Sequence, residues 1–209
     1  MKFQLSAALM GLAATAVSAQ DKQDGPFLLH IKGTSTNSTL DGYGGSCHTG
    51  AGISGLCYSV LDSTANVTNS FQYYFNYTGF TTVDDNQVGT LVWNQPYTDQ
   101  TGVLQYESQG MGLIYKPTSN VAAPQFGFSN FDFLIGFDSE GGVFGYDYID
   151  DSKFVPGVFP TDYAGKAYYQ WAVCWQYFTG YFYQSVAWVQ VNAPHNPTCE
   201  AVEITKIDL

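Results

Sequence analysis

Residues 168–191 read YYQWAVCWQYF, TG, YFYQSVAWVQV. These are two extended aromatic runs broken by Thr179-Gly180. In the first run Tyr169, Trp171, Val173, Trp175 and Tyr177 fall on one face. Tyr168, Gln170, Ala172, Cys174, Gln176 and Phe178 fall on the other. Past the break, Phe182 and Trp188 share one face and Tyr181 and Tyr183 the opposite one. A period of two on both sides of a turn-forming pair predicts an antiparallel hairpin. Its paired faces are aromatic on both sides, so one is expected to enter a core and the other offers a candidate surface.

The same reading extends outward. Residues 71–78 alternate, with Phe71, Tyr73, Phe75 and Tyr77 on one side and Gln72, Tyr74, Asn76 and Thr78 on the other, the pattern of a half-buried strand. Further strands are expected over 27–32, 90–94, 103–107 and 111–116, the last two joined as a hairpin through Ser108-Gln109-Gly110. Residues 131–137 and 143–149 flank a glycine-rich hairpin loop, and 201–209 supply a closing strand. Residues 33–40 and 150–166 read as loops. No helical period follows the N-terminal segment. The expected fold is all-β, an antiparallel β-sandwich or jelly roll with a closed β-barrel as the alternative, in one domain over residues 20–209.

Residues 1–19 carry the marks of a secretory signal peptide. Met1-Lys2 is followed by an apolar run to Val17 and the small residues Ser18 and Ala19. The run is shorter than the roughly 20 residues of a membrane-spanning helix, so no membrane insertion is expected once it is cleaved. Sequons at Asn37, Asn66 and Asn76 agree with passage through a secretory route. Four cysteines allow three pairings. Cys47–Cys57 and Cys174–Cys199 are expected, because each closes a loop bounded by turn formers. The paired-cysteine spacing of a zinc site is absent.

The chain has seven lysines, no arginine and a net charge of −11. Such a balance excludes a phosphate-backbone partner, so no nucleic-acid binding is expected. Gly50-Ala51-Gly52-Ile53-Ser54-Gly55 matches the dinucleotide fingerprint by letter, but that motif works only between a strand and a helix. It is expected to be a disulfide-closed glycine loop, with no cofactor. His30, His48 and His195 have no acidic residue at a telling spacing, and no metal site follows from them. Asp138, Glu140, Asp147, Asp150 and Asp151 form an acidic run that reads as a solvated face rather than a calcium loop. For glycoside hydrolysis two carboxyl groups must face each other across a cleft. Glu107 with Asp132 or Asp147 is the only combination the strand pattern offers, and no catalytic residue is assigned.

Several segments resemble those of a family of secreted fungal proteins with an uncharacterised domain. They are Asn37-Ser38-Thr39-Leu40, Cys47-His48-Thr49-Gly50-Ala51 through Gly55-Leu56-Cys57, Pro117-Thr118-Ser119-Asn120-Val121-Ala122, Trp171 to Cys174, Ala187-Trp188-Val189 and Asn196-Pro197-Thr198-Cys199. The resemblance implies a filamentous fungus and a secreted or wall-associated product, and it brings no activity with it. The leading functional expectation is a non-enzymatic extracellular protein binding cell-wall polysaccharide, with Trp171, Trp175 and Trp188 as the candidate sugar-stacking platform. The alternatives are a glycan-active hydrolase using Glu107 with an aspartate, and a secreted effector or antigen that binds a host protein.

Overall fold

A computed structural model describes residues 22–61, 67–127, 133–149, 152, 154–159, 164–178, 180–191 and 193–209. The described residues form thirteen strands: β1 Lys22–Gly33, β2 Asp41–Gly50, β3 Ile53–Ser59, β4 Tyr73–Val83, β5 Asn86–Thr98, β6 Leu104–Ile114, β7 Val121–Phe126, β8 Leu134–Phe137, β9 Val143–Asp147, β10 Lys166–Tyr168, β11 Trp171–Phe178, β12 Tyr181–Val189 and β13 Glu200–Asp208. All pair antiparallel. Nine of them close a ring in the order β5-β4-β1-β13-β11-β12-β3-β7-β6 and back to β5. Strand β2 lies across β1 and β3. The closed barrel, the second of the two architectures the sequence allows, is therefore the one observed, in place of a sandwich or jelly roll.

Strand β5 positions everything that follows. One of its edges pairs with β4, from Tyr73↔Trp93 to Val83↔Asn86. The opposite edge forks, pairing β8 at residues 88–90 and β6 at residues 92–98. From that fork β8, β9 and β10 leave the ring as a three-stranded flap. The flap is held back against the wall by the Gly142–Thr205 bridge and by Lys206 N–H donating to Gly141 O at 2.9 Å. The β4–β5 turn is a two-residue connection whose Asp84 and Asp85 both have positive φ (49° and 65°), the geometry that follows the twist of paired strands.

The barrel interior is filled by Phe27, Leu29, Ile31, Tyr73, Phe75, Trp93, Phe126, Trp171, Val173, Val186 and Trp188, with Ile135 and Val143 contributed by the flap. On β11 both faces are buried over residues 171–174. Trp171 and Val173 point into the barrel, while Ala172 and Cys174 join a smaller cluster with Val121 and Ala187. This explains why the hairpin is apolar on two sides.

Four sequence expectations are revised. Residues 47–57 are not a loop but the β2–β3 hairpin, closed by the Cys47–Cys57 disulfide. Its glycines let Phe71 lie on the strand, since a Cβ at Gly45 would meet the Phe71 ring at 2.8 Å. The segment read as a hairpin over 103–116 is instead one strand, β6, over Leu104–Ile114. Gln109 is buried in register with Trp93 and donates to Gln95 Oε1 and Gly52 O, so Ser108-Gln109-Gly110 runs straight through the ladder. Strand β7 was not expected, because its six residues are buried on both faces and show no alternation. The 71–78 strand begins at Tyr73, and Asn69–Phe71 is a single 3-10 turn whose Asn69 O accepts the Trp93 indole N–H at 3.0 Å. The second disulfide joins Cys174 to Cys199, the expected pairing. Each closed loop stabilises the fold by about 2–4 kcal/mol.

The fully buried Tyr73 hydroxyl finds no hydrogen-bond partner among the described residues, and burial drives its pKa above the ordinary value of 10.0. An unpaired buried hydroxyl is destabilising. Tyr73→Phe is therefore expected to raise unfolding free energy by about 1 kcal/mol in urea titration; a loss of 1 kcal/mol or more would show that the hydroxyl is hydrogen-bonded after all.

The β5–β6 turn is built on Asp99. Its Oδ1 accepts the Thr101 hydroxyl at 2.6 Å, the Thr101 N–H at 2.8 Å and the Val103 N–H at 3.0 Å, and its Oδ2 accepts from Gln105. The Thr101 hydroxyl first, then these further donors, lower its pKa from 3.8 to about 2. With the folded value below the unfolded one, the turn's contribution is complete above about pH 4 and is lost as pH falls through about 2. An NMR titration should place the Asp99 carboxyl midpoint near 2, whereas a midpoint at 3.8 would mean that the donors do not engage it.

A candidate saccharide-binding cleft at the barrel mouth

Between the flap and the barrel end lies an open cleft of about 750 Å³. One wall comes from β9, β10 and the residues that follow them, with Tyr146, Asp147, Tyr148, Ile149, Tyr168 and Gln170. The other wall comes from Tyr115 after β6 and Gln190 after β12. Phe133, Leu134, Gly145 and Trp188 make up the rest of the lining. Aromatic rings thus alternate with two amides and one carboxylate, the composition of a small-molecule site with few, placed polar groups.

An aromatic cluster holds the two walls at this separation. Trp171 and Trp188 are register partners across β11 and β12, with ring centroids 4.8 Å apart. Phe133 packs on both, at 4.9 Å from Trp188 and 6.0 Å from Trp171. The Trp171 indole N–H donates to Val143 O at 2.8 Å and ties the flap to the barrel wall. On β9, Val143, Gly145 and Asp147 alternate onto one face. Val143 enters the core, Gly145 lies under the Trp188 ring and Asp147 reaches the cleft. Val189 N–H donates to Gln170 O at 2.9 Å and joins the two walls, while Gln190 N–H donating to Asn120 O at 3.0 Å fixes the far one.

The electrostatics are those of a partly dry, weakly acidic groove. Asp147 Oδ1 accepts the backbone N–H groups of Tyr148 (2.7 Å) and Ile149 (3.1 Å), which fixes the carboxylate at the end of β9. Its Oδ2 takes no hydrogen bond from the described residues. Burial raises the Tyr115 phenol above its ordinary pKa, the Gln190 side chain opposes that rise through a hydrogen bond, and the charge of Asp147 adds to it.

The predicted site residues fare unevenly. Trp171 (3% exposed) is a core residue and cannot stack on a sugar; Trp188 (8%) is also buried but lines the cleft. Trp175 is 44% exposed and stacks on Phe182 at 5.0 Å and 22°. It lies four residues from Trp171 along β11, about 13 Å away, so the three tryptophans do not form one platform. Glu107 is exposed on β6 and does not line the cleft that holds Asp147, while Asp132 lies outside the described residues. The acidic run does not assemble either. Asp138 and Glu140 sit before β9 and Asp147 at its far end, about 13 Å along the strand, and Asp150 and Asp151 lie outside the described residues. Among the described residues no group of three His, Cys, Asp or Glu is placed to hold a metal. Asn37 is exposed in the β1–β2 connection. Asn76 is half-buried on the face of β4 opposite Tyr73 and Phe75, where its Oδ1 accepts from Gln23 at 2.8 Å. Asn66 and residues 1–19 lie outside the described residues.

No family model matches the chain, and comparison with curated proteins and with solved structures finds no match.

Sequence reasoning missed two pairings. His30 Nε2 lies 2.7 Å from Asp41 Oδ1, brought together by the β1–β2 register; their separation of eleven residues carried no signal. A second groove of about 490 Å³ runs beside β13, lined in part by Asp138, Glu140, Tyr169 and Glu203. There Asp138 is already committed, accepting from Glu140 N–H, Gly142 N–H and the Tyr169 hydroxyl at 2.9 Å. Partial burial and then that carboxylate push the Tyr169 phenol up to about 12. Gly50 to Gly55 crosses from β2 into β3 with no helix, so the context of a dinucleotide motif is missing. Also missed were Tyr115, Gln170 and Gln190, which become neighbours only when the barrel closes.

A Cβ at Gly145 would lie 2.5 Å from the Trp188 ring and 2.6 Å from the Phe133 ring. Gly145→Ala is accordingly expected to cost about 1–3 kcal/mol of stability and to alter the near-UV tryptophan signal. Wild-type stability with an unchanged signal would show that the flap does not rest on Trp188.

Proposed function

We propose that this protein is a secreted, non-enzymatic extracellular protein that binds cell-wall polysaccharide in the cleft at the barrel mouth. The observation that carries the reading is the cleft lining: aromatic rings from both walls interleaved with Gln170, Gln190 and Asp147. Sugar rings present apolar faces for stacking and hydroxyl edges for amides and carboxylates, and a groove of this make-up meets both. Two disulfides, and no helix among the described residues long and apolar enough to cross a membrane, are compatible with an extracellular setting. The N-terminal signal, the exposed sequon at Asn37 and the resemblance to secreted fungal proteins support a secreted, glycosylated fungal product.

Binding is favoured over hydrolysis by the carboxylate inventory. Cleavage of a glycosidic bond uses two carboxyl groups about 5–9 Å apart, and the described cleft lining contributes Asp147 alone. A second reading uses the exposed Trp175–Phe182 pair on the β11–β12 hairpin. Its neighbouring amides are already occupied, Gln176 by Ser185 and Val186 and Asn196 by Trp175 O, so it offers fewer groups to orient a sugar.

The test is depletion of the purified protein by insoluble chitin, β-glucan, cellulose and xylan, with released sugar measured in parallel. Binding to at least one polymer without sugar release is expected, and Tyr148→Ala should weaken it at least about tenfold. Tyr148 is 47% exposed, so its truncation spares the core. Loss of binding in Trp175→Ala but not in Tyr148→Ala would move the site to the hairpin. Released sugar would overturn the non-enzymatic reading, and no depletion by any polymer would overturn the polysaccharide reading.

A further inference from the structure

Among the described residues lining the cleft one is charged, and its chemistry narrows the sugar. We infer that the cleft selects glycans carrying a protonated amine, with Asp147 as the acceptor of the ammonium group. This rests on the saccharide reading above. Three features support it.

Asp147 lines the cleft, and its Oδ1 accepts the backbone N–H groups of Tyr148 and Ile149, which hold the carboxylate in place. No Lys, Arg or His is among the residues lining the cleft. Lys166 stands opposite Asp147 in the β9–β10 register but does not line it. A uronate or sulfate group would therefore meet a carboxylate with no cation in the lining to offset it. An ammonium group would instead make a charge-assisted hydrogen bond. The field of Asp147 also reaches the far wall, where it contributes to the raised pKa of Tyr115. The overall charge of −11 favours the same ligands over polyanions at long range. That general attraction has to be separated from the local one.

The experiment is calorimetric titration of the mature, disulfide-bonded protein with three soluble hexasaccharides: the glucosamine hexamer, the N-acetylglucosamine hexamer and cellohexaose. A pH of about 5.5 lies below the ordinary amine range and keeps the glucosamine amines protonated. Salt at about 0.15 M limits the reach of the general charge to about 8 Å. Wild type is expected to bind the glucosamine hexamer about fivefold or more tightly than cellohexaose, the scale of one exposed charge pair. Asp147→Asn retains an Oδ1 acceptor for the turn and should bring that ratio to about one. Glu107→Gln removes the same charge from an exposed position outside the cleft and should leave the ratio unchanged. Equal affinity of wild type for the two hexamers, or a preference that persists in Asp147→Asn, would overturn the assignment while leaving saccharide binding in place. A preference lost equally in Glu107→Gln would also overturn it and assign the effect to net charge. If none of the three hexamers bound, this inference would fall, while the saccharide reading would stand or fall on depletion by the four polymers.

Discussion

The contact on which the arrangement depends is the junction of Trp171, Trp188 and Phe133, with the Trp171 indole bonded to Val143 O. Three rings meet where β11, β12 and the flap converge, and truncating a buried ring of this kind costs about 3–5 kcal/mol. The junction serves two purposes at once. It closes one end of the barrel core, and it sets the distance between the flap and the wall that bears Gln190 and Tyr115. The cleft therefore inherits its width from core packing. The rings that the sequence offers as a binding surface are largely the ones that build the site from beneath.

Local alternation made much of the fold legible. Tyr73 and Phe75 share the inward face that the alternation over 71–78 predicts, and Cys174 pairs with Cys199 as expected. Strand β7 was illegible because burial on both faces erases the period-two signal, and Pro124 within it reads as a break. Strand β6 was misread because Ser-Gln-Gly has turn-forming composition. Only the long-range bonds of Gln109 to Gln95 and Gly52 show that this segment stays extended. Closure itself depends on β1 pairing with β13 and on β7 meeting both β3 and β12. These are pairings between distant segments, and no local window contains them. A sandwich and a barrel share the same strand patterns and differ only in that step.

The site was less legible than the fold, for a related reason. Tyr168, Gln170 and Trp188 belong to the hairpin that the sequence marks out, yet their partners Tyr115, Asp147 and Tyr148 lie 20 to 73 residues away in sequence, where only tertiary contacts bring residues together. Aromatic content signalled that some ring would be exposed without saying which. Burial on both faces of residues 171–174 removed Trp171 from the surface, and the stagger between β9 and β12 put Gly145 beneath Trp188. Asp147 was noticed as part of an acidic run. Its described members lie apart, with Asp138 and Glu140 before β9 and Asp147 at its far end.

Flap and barrel differ in what ties them down, and that difference bears on how the cleft would work. The ring strands are each paired on both edges, whereas β10 pairs only with β9 through three residues. Free energies for local opening are lowest where pairing and buried contacts are fewest. The wall bearing Tyr168 is thus the part of the cleft with least support, while the wall bearing Gln190 rests on the closed ring. The cleft therefore has one fixed wall and one that can adjust. The Trp171–Val143 hydrogen bond marks where adjustment must stop, since beyond it the flap contributes Ile135 and Val143 to the barrel interior. Cleft geometry and folding meet at that bond, since spreading the walls far enough to break it would expose the aromatic core beneath the cleft.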